Sequence, residues 1–189
     1  MLNPLKDSDL SDSELVAKIV TRNDTHLFAI LYDRYAELVY SKCLSFTKSP
    51  QEAQDLTHDI FIKLFLKLHA FKGESKFSTW LYSFTYNFCV NYVTRDQKKK
   101  KEKFTILEHE NYSVQDDVPD EDIYQMKAEK LMLSLEKIDV DDKMLLLMKY
   151  QDGFSIADIQ NGLQIGESAV KMRLKRAKKK LIMAYNDET

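Results

Sequence analysis

Apolar side chains recur every three or four residues along most of this chain, which is the spacing of one buried face of an α-helix. Three such faces precede residue 96, and helical periodicity returns after about residue 127. The first three faces consist of Phe28, Leu31, Tyr35, Leu38 and Val39; Leu56, Ile60, Leu64, Phe65 and Leu68; and Phe77, Trp80, Leu81, Phe84 and Phe88. The pattern predicts an all-α protein whose first part is a helical bundle with an aromatic core.

The interval 97–126 lacks this periodicity. It opens with the basic run QKKKKEK, then becomes acidic and is interrupted by Pro119, a composition typical of a linker. An S-x-x-E capping box at Ser11 and Glu14 predicts a first helix before the bundle. We therefore predict two small helical domains joined by an acidic linker: an N-terminal arm over 1–24, a domain over 25–96, the linker over 97–126 and a second domain over 127–189.

The second domain ends in the pattern of a helix-turn-helix. Ser155 and Asp158 can cap a short helix, and a tight turn over 164–166 leads to a second helix from about Glu167. That second helix would bury Val170, Leu174, Ala177 and Leu181, while its other faces hold Lys171, Arg173, Lys175, Arg176, Lys178, Lys179 and Lys180. A basic helix after such a turn is typical of a recognition helix that enters the major groove of duplex DNA.

A second candidate nucleic-acid surface lies between Lys72 and Arg95. A loop from Gly73 to Ser78 adjoins a run of aromatic residues, with Lys72, Lys76 and Arg95 nearby. Rings can stack on unpaired bases while cations follow the phosphates, so this composition suits single-stranded DNA. The alternative is that these rings form the core, which we expect for Phe84 and Phe88; for Trp80 and Tyr82 the two interpretations are balanced.

Three segments in this order resemble the bacterial extracytoplasmic-function sigma factors: DLTHDIFIKLF, GESKFSTWLY and GFSIADI followed by GESAVKMRLKRAKKKL. The resemblance covers roughly residues 27–181. It implies a promoter-specificity subunit whose first domain binds core RNA polymerase and melts the −10 element, and whose second domain binds the −35 element.

The resemblance also implies roles for individual residues. On the −35 element we expect Glu167, Ser168, Lys171, Met172, Arg173, Lys175, Arg176 and Lys178, with Arg173 and Lys178 on phosphates. On the melted −10 element we expect Lys72, Gly73, Glu74, Ser75, Lys76, Phe77, Ser78, Trp80, Tyr82, Asn87, Asn91 and Arg95. On the β′ clamp helices of the polymerase we expect Glu52, Asp55, Leu56, Asp59, Ile60, Phe61 and Lys63. Further expected partners are the β flap and an anti-sigma factor.

The chain departs from the family pattern before the recognition helix. Relatives usually have small or apolar residues at the positions of Gln160 and Gly162, and glycine where Gln164 stands. Glycine inside a helix costs about 1 kcal/mol relative to alanine. We therefore expect the first helix of the motif to end early and its turn to be unusual.

Other features narrow the functional class. Cys43 and Cys89 lack C-x-x-C spacing and are expected to be reduced, buried thiols. The histidines His26, His58, His69 and His109 show no metal-site spacing, and no phosphate loop or nucleophile motif is present. We expect no enzymatic activity, no cofactor or metal, no membrane insertion and a cytoplasmic location. The alternative function is a helix-turn-helix regulator that binds DNA without joining the polymerase.

Overall fold

A computed structural model describes residues 7–101 and 118–187, and all regular structure within these ranges is helical. This confirms the all-α prediction. The chain divides into two compact units, Met1–Cys89 and Val90–Thr189, and the division falls inside one long helix.

The first unit is built from a short 3₁₀ turn at Asp7–Asp9 and four helices. These are α1 (Asp12–Arg22), α2 (Thr25–Leu44), α3 (Pro50–Lys67) and the beginning of α4 (Phe77–Lys101). Side-chain caps begin the first three: Ser11 and Glu14 form the predicted capping box, Asp24 accepts from the His26 and Leu27 amides, and Ser49 accepts from the Glu52 amide.

Helix α1 packs onto α2 through Leu15, Val16 and Ile19, which are buried. Arg34 of α2 donates to Asp12 Oδ1 over 2.8 Å, and the Tyr35 hydroxyl donates to Asp12 Oδ2 over 2.6 Å. The same guanidinium donates to the carbonyls of Ser8 and Leu10 at 2.7 Å each. Residues 7–22, which the sequence assigned to an arm, therefore pack within the first unit and contribute Leu10, Leu15, Val16 and Ile19 to its core.

The core of the first unit largely follows the predicted faces. Fully or nearly fully buried members include Leu31, Val39, Leu56, Ile60, Leu64, Leu68, Phe77 and Leu81. Leu38, which was expected to be buried, is 47% exposed. Phe84 and Phe88, which were also expected in the core, are half-buried, and α4 turns Tyr86 and Cys89 fully into the core.

The second unit contains α5 (Asp120–Tyr124), α6 (Ala128–Lys137), α7 (Val140–Leu146), α8 (Ile156–Leu163) and α9 (Glu167–Asn186). A π-helical turn at Leu147–Gln151 extends α7. The core of the second unit includes Ile123, Leu146, Ala177 and Leu181. Because Ile123 belongs to this cluster, the last part of the predicted linker packs within the second unit. The linker's acidic residues Glu108, Glu110, Asp116 and Asp117 lie outside the described residues.

Helices α8 and α9 form the predicted helix-turn-helix. Ser155 and Asp158 make the predicted capping box, and α9 begins at Glu167 after Gly166. Helix α8 runs through Gly162 to Leu163, so the expectation of an early end is wrong. Gln164 then takes the left-handed conformation, with φ 56°, and the Ile165 amide donates to the Gln160 carbonyl. This is the six-residue bond of a Schellman cap, in which glycine is the usual residue at the left-handed position.

Candidate nucleic-acid and polymerase interfaces

The exposed face of α9 lies opposite its buried stripe. Val170, Leu174, Ala177 and Leu181 are all buried, as the sequence predicted. At 3.6 residues per turn, the opposite sector of about 140° holds Ser168, Lys171, Met172, Lys175, Arg176 and Lys179. Lys171, Met172 and Arg176 are exposed, and Glu167 pairs with Lys171 over 2.6 Å. That pairing lowers the pKa of Glu167. The helix-turn-helix thus presents a continuous cationic surface.

Lys178 does not belong to this surface, contrary to the prediction that it contacts phosphate. It is 9% exposed, and its ammonium donates to Asp120 Oδ1 over 2.9 Å and to the Val118 carbonyl over 2.5 Å. The Tyr150 hydroxyl donates to the same Asp120 oxygen over 2.6 Å. The hydrogen bond from Tyr150 lowers the pKa of Asp120 most, and the hydrogen bond and charge of Lys178 lower it further. We call Val118, Asp120, Tyr150 and Lys178 the Asp120 latch.

Lys180 is engaged in the same way on the other side of the buried stripe. Its ammonium contacts Asp139 and Asp142 at 2.5 and 2.6 Å. Burial opposes the charged form, but the hydrogen bonds to the two carboxylates outweigh it and raise the pKa of Lys180. Acidic residues therefore neutralise the two lysines that border the buried stripe. Lys179 was not among the residues predicted to contact the −35 element, but it lies within the exposed sector of α9.

Helix α4 displays a mixed aromatic and polar face. Trp80, Phe84 and Phe88 follow one another at i, i+4 and i+8, with ring centroids 5.8 and 6.0 Å apart. At 3.6 residues per turn, Asn87, Asn91 and Arg95 fall in the same sector of about 100°, and all three are exposed. We call these six residues the α4 face. The sequence signal for Phe84 and Phe88 was present in their spacing from Trp80, but it was assigned to the core.

The loop before α4 brings several predicted residues next to this face. Lys72, Gly73, Glu74 and Lys76 are exposed, and Gly73 has φ 74°, a conformation that favours glycine. Ser75 and Ser78 are partly buried. Phe77, predicted to contact DNA, is only 2% exposed and packs edge-on against Tyr35 and Phe71. A ring that is buried in this way cannot stack on a base.

Tyr82 lies on a different side of α4 from Trp80. The Lys42 ammonium lies 4.1 Å from its ring centroid, and the ring also packs edge-on against Tyr35. Lys42 itself is buried. These contacts favour the packing interpretation for Tyr82, whereas Trp80 keeps a partly exposed edge on the α4 face.

Helix α3 divides its predicted polymerase contacts between two sides. Leu56, Ile60 and Phe61 are at most 3% exposed, so their side chains belong to the core and cannot form a contact surface. The opposite side displays Ile62 and Leu66, which are 60% and 61% exposed. With them, in a sector of about 100°, lie Glu52, Asp55, Asp59 and Lys63, and we call these six residues the α3 face. Ile62 and Leu66 were not predicted from the sequence, although their i, i+4 spacing places them together outside the buried stripe.

Comparisons with known proteins match both parts of the chain to one family. The family model for Sigma-70 region 2 matches residues 31–99, and the model for Sigma-70, region 4 matches residues 128–181. The chain is 24% identical to the ECF RNA polymerase sigma factor SigX of Bacillus subtilis over 82% of this chain and 81% of that protein. It is 27% identical to the ECF RNA polymerase sigma-E factor of Haemophilus influenzae, over 89% and 92% respectively.

The chain belongs to the extracytoplasmic-function sigma factors. It is an alternative sigma factor, which confirms the family predicted from the sequence. The α4 face lies within the region 2 match, and most of α9 lies within the region 4 match.

A solved structure supports the fold of this sigma factor. The sigma factor RpoE, in complex with the anti-sigma factor NepR from Bartonella quintana, matches with a TM-score of 0.59. Sequence identity is 15%, and the match covers 86% of this chain and 98% of that one. Within the described residues, no helix is both long enough and apolar enough to cross a membrane.

Proposed function

We propose that this sigma factor directs core RNA polymerase to promoters by binding duplex DNA with α9 and melted DNA with the α4 face. The observation that supports this most directly is that one chain presents both a cationic helix-turn-helix surface and a partly exposed aromatic row. A duplex-binding regulator needs the first surface but has no use for the second. The two surfaces suit the two states in which promoter DNA must be held.

On the −35 element, α9 enters the major groove with the exposed sector described above. Lys171, Lys175 and Arg176 are placed to donate to base edges, and the exposed Met172 offers an apolar contact for a thymine methyl group. Arg173 is exposed beside this sector and suits a phosphate. Lys178 is removed from the proposed contact set because the Asp120 latch holds it.

On the −10 element, the α4 face and the 72–78 loop hold the non-template strand. Removing a base from the stack costs a few kcal/mol, which protein contacts must offset. Trp80 and Phe84 supply ring surface for an unpaired base, while Asn87, Asn91 and Arg95 supply donors along the same helix. The exposed loop between Lys72 and Lys76 is the proposed pocket for a flipped base.

The α3 face is the proposed contact with the β′ clamp helices. Two large apolar side chains flanked by Asp59 and Lys63 give the apolar centre and charged rim that protein interfaces have. In the second unit, Met132 and Leu133 are 69% and 57% exposed on α6 and are candidates for the β flap contact. These surfaces also suit an anti-sigma factor, the kind of partner bound in the solved RpoE complex. Acting on polymerase and promoter DNA, the protein would work in the cytoplasm.

Reconstituted transcription tests the proposal. Purified chain is added to core polymerase with a genomic template library, and start sites are mapped; we expect initiation at promoters that neither component uses alone. Absence of new start sites, together with DNA binding by the chain, would instead support the regulator that acts without joining polymerase.

Variants of Trp80 then test the melting role. We expect Trp80→Ala to reduce permanganate reactivity of unpaired thymines in the −10 region more than it reduces closed-complex binding. Trp80→Phe, which keeps a ring, should recover most of the reactivity. An equal loss of opening and of closed-complex binding would indicate that Trp80 only supports the fold.

A further inference from the structure

Cys43 and Cys89 meet in the core of the first unit although 46 residues separate them in the sequence. Cys43 lies in the last turn of α2 and Cys89 on α4, and their Sγ atoms are 4.0 Å apart. Both side chains are fully buried, and both thiols are free. Neither belongs to the surfaces proposed for DNA or polymerase.

The surroundings of this pair are polar for a buried site. The Cys89 thiol donates to the Cys43 sulfur, and this hydrogen bond lowers the pKa of Cys43. Donation to Cys43, together with burial, raises the pKa of Cys89. The neighbouring Thr57 hydroxyl also lowers the pKa of Cys43, and the charge of the buried Lys42 favours a Cys89 thiolate. A thiolate, not a thiol, is the form that attacks an oxidant.

We propose that Cys43 and Cys89 are an oxidisable dithiol that a peroxide closes into an intramolecular disulfide between α2 and α4. A disulfide needs a sulfur–sulfur distance of about 2.05 Å, so each sulfur must move by only about 1 Å from its present position. Rotation about the Cα–Cβ bonds with a small shift of the helices supplies this movement.

The reaction balances with the peroxide as the oxidant. The Cys43 thiolate attacks one peroxide oxygen, the O–O bond breaks, and the leaving oxygen takes a proton to become water or an alcohol. The resulting Cys43 sulfenic acid is attacked by the Cys89 sulfur; the S–O bond breaks and water leaves with the Cys89 proton. Two thiols have lost two electrons and the peroxide has gained them.

Closure of this bond would restrain α4, because Cys89 directly follows Phe88 of the α4 face. Since both thiols are buried, the oxidant must enter through local opening, and the end of α2 at Leu44 is close to Cys43 in the sequence. Resting on the proposed function, we expect the oxidised protein to open promoters less well while still binding duplex DNA. Reduction by a thiol reagent should restore opening.

The experiment treats the full-length chain with hydrogen peroxide under native conditions and follows its intact mass and its free thiols. We expect the loss of two hydrogen atoms, the loss of both thiols, and a linked peptide containing Cys43 and Cys89, all reversed by dithiothreitol. Cys43→Ala and Cys89→Ala, if folded, should each show no such linked peptide. Two unreacted thiols, oxygen added to one cysteine, or disulfides only between chains would overturn the proposal.

A second measurement separates the chemistry from its effect. Oxidised and reduced protein are compared for permanganate reactivity of the −10 region in the reconstituted holoenzyme, and equal opening by the two forms would overturn the regulatory part. If even the reduced chain directs no initiation, the proposed sigma function fails, whereas the mass measurement still decides whether the dithiol closes.

Discussion

Replacing Lys178 by methionine should destabilise the second unit without weakening the electrostatic part of DNA binding. Methionine keeps most of the aliphatic stem and removes the ammonium, which donates to Asp120 and to the Val118 carbonyl. Lys175→Met is the matched control, because Lys175 lies on the same helix within the exposed sector. From the sequence, both lysines were predicted to contact DNA.

The expected loss of stability follows from the contacts of the Asp120 latch. A hydrogen bond that involves a charged group contributes about 1.5–3 kcal/mol. The Asp120 side chain is 46% exposed, so solvent screening reduces this value. Asp120 also keeps its bond from Tyr150 in the variant. We therefore expect a loss of about 1–2 kcal/mol, or a fall in Tm of about 4–16 °C for a unit of this size.

Salt dependence of DNA binding supplies the second measurement. Each phosphate contact that is lost lowers the slope of log K against log salt by about 0.9. Fluorescence anisotropy of a labelled duplex suffices, since this electrostatic contribution does not depend on sequence. We expect Lys175→Met to lose about one such contact and Lys178→Met to keep the wild-type slope, measured well below both melting temperatures. A Lys178→Met protein with unchanged Tm and a reduced slope would refute the assignment of Lys178 to the latch.

Three further predictions concern the turn, the latch and the α3 face. Gln164→Gly should raise the free energy of unfolding in urea by about 0.5–1 kcal/mol. A left-handed residue other than glycine costs about 1–2 kcal/mol, and the greater entropy of glycine in the unfolded chain cancels part of the gain. Gln160→Gly, inside α8, should destabilise the chain, and a less stable Gln164→Gly would contradict the cap geometry. Because the pKa of Asp120 is lowered in the folded state, its contribution is present above about pH 4 and is lost as pH falls through the folded value. Asp120→Asn should accordingly flatten the acid limb of stability against pH, and parallel wild-type and variant curves would count against this. In a pull-down titration, Ile62→Lys and Leu66→Lys should each weaken binding to core polymerase about tenfold or more, or about 1.4 kcal/mol. Val20→Lys, also on the surface of the first unit, should leave this affinity unchanged. Equal affinities for all three variants would exclude the α3 face as the polymerase contact.

The helices and their caps could be predicted because they depend on local chemistry. The capping boxes at Ser11 and Ser155 satisfy backbone donors within four residues. The buried stripe of α9 follows from four apolar residues at helical spacing. The turn at 164–166 was placed correctly for the same reason. The prediction that Gly162 would end α8 early was wrong, because the packing of the whole helix outweighs the cost of one glycine.

The site was less predictable wherever a helix has two apolar sides. In α4, the rings at positions 77, 80, 82, 84, 86 and 88 lie on two opposite sides of the helix, so spacing alone cannot decide which side is buried. The structure buries Phe77, Leu81 and Tyr86 and leaves the Trp80 row partly exposed. In α3, the family resemblance marked residues 52–63 as a contact helix, but the resemblance does not distinguish Ile60, which is buried, from Ile62, which is exposed.

Long-range pairing explains why a basic helix has fewer cations available for DNA than its sequence suggests. Lys178 and Lys180 stand on the two borders of the buried stripe of α9, where a side chain can reach neighbouring helices. Asp120 approaches the first from 58 residues away in sequence, and Asp139 and Asp142 approach the second from 41 and 38 residues away. An arginine would present these carboxylates with a planar guanidinium, whereas a lysine presents a compact ammonium on a flexible aliphatic chain. The carboxylates of Asp120, Asp139 and Asp142 thus serve partly as internal counter-charge, and the exposed sector of α9 remains cationic although the chain as a whole is nearly neutral.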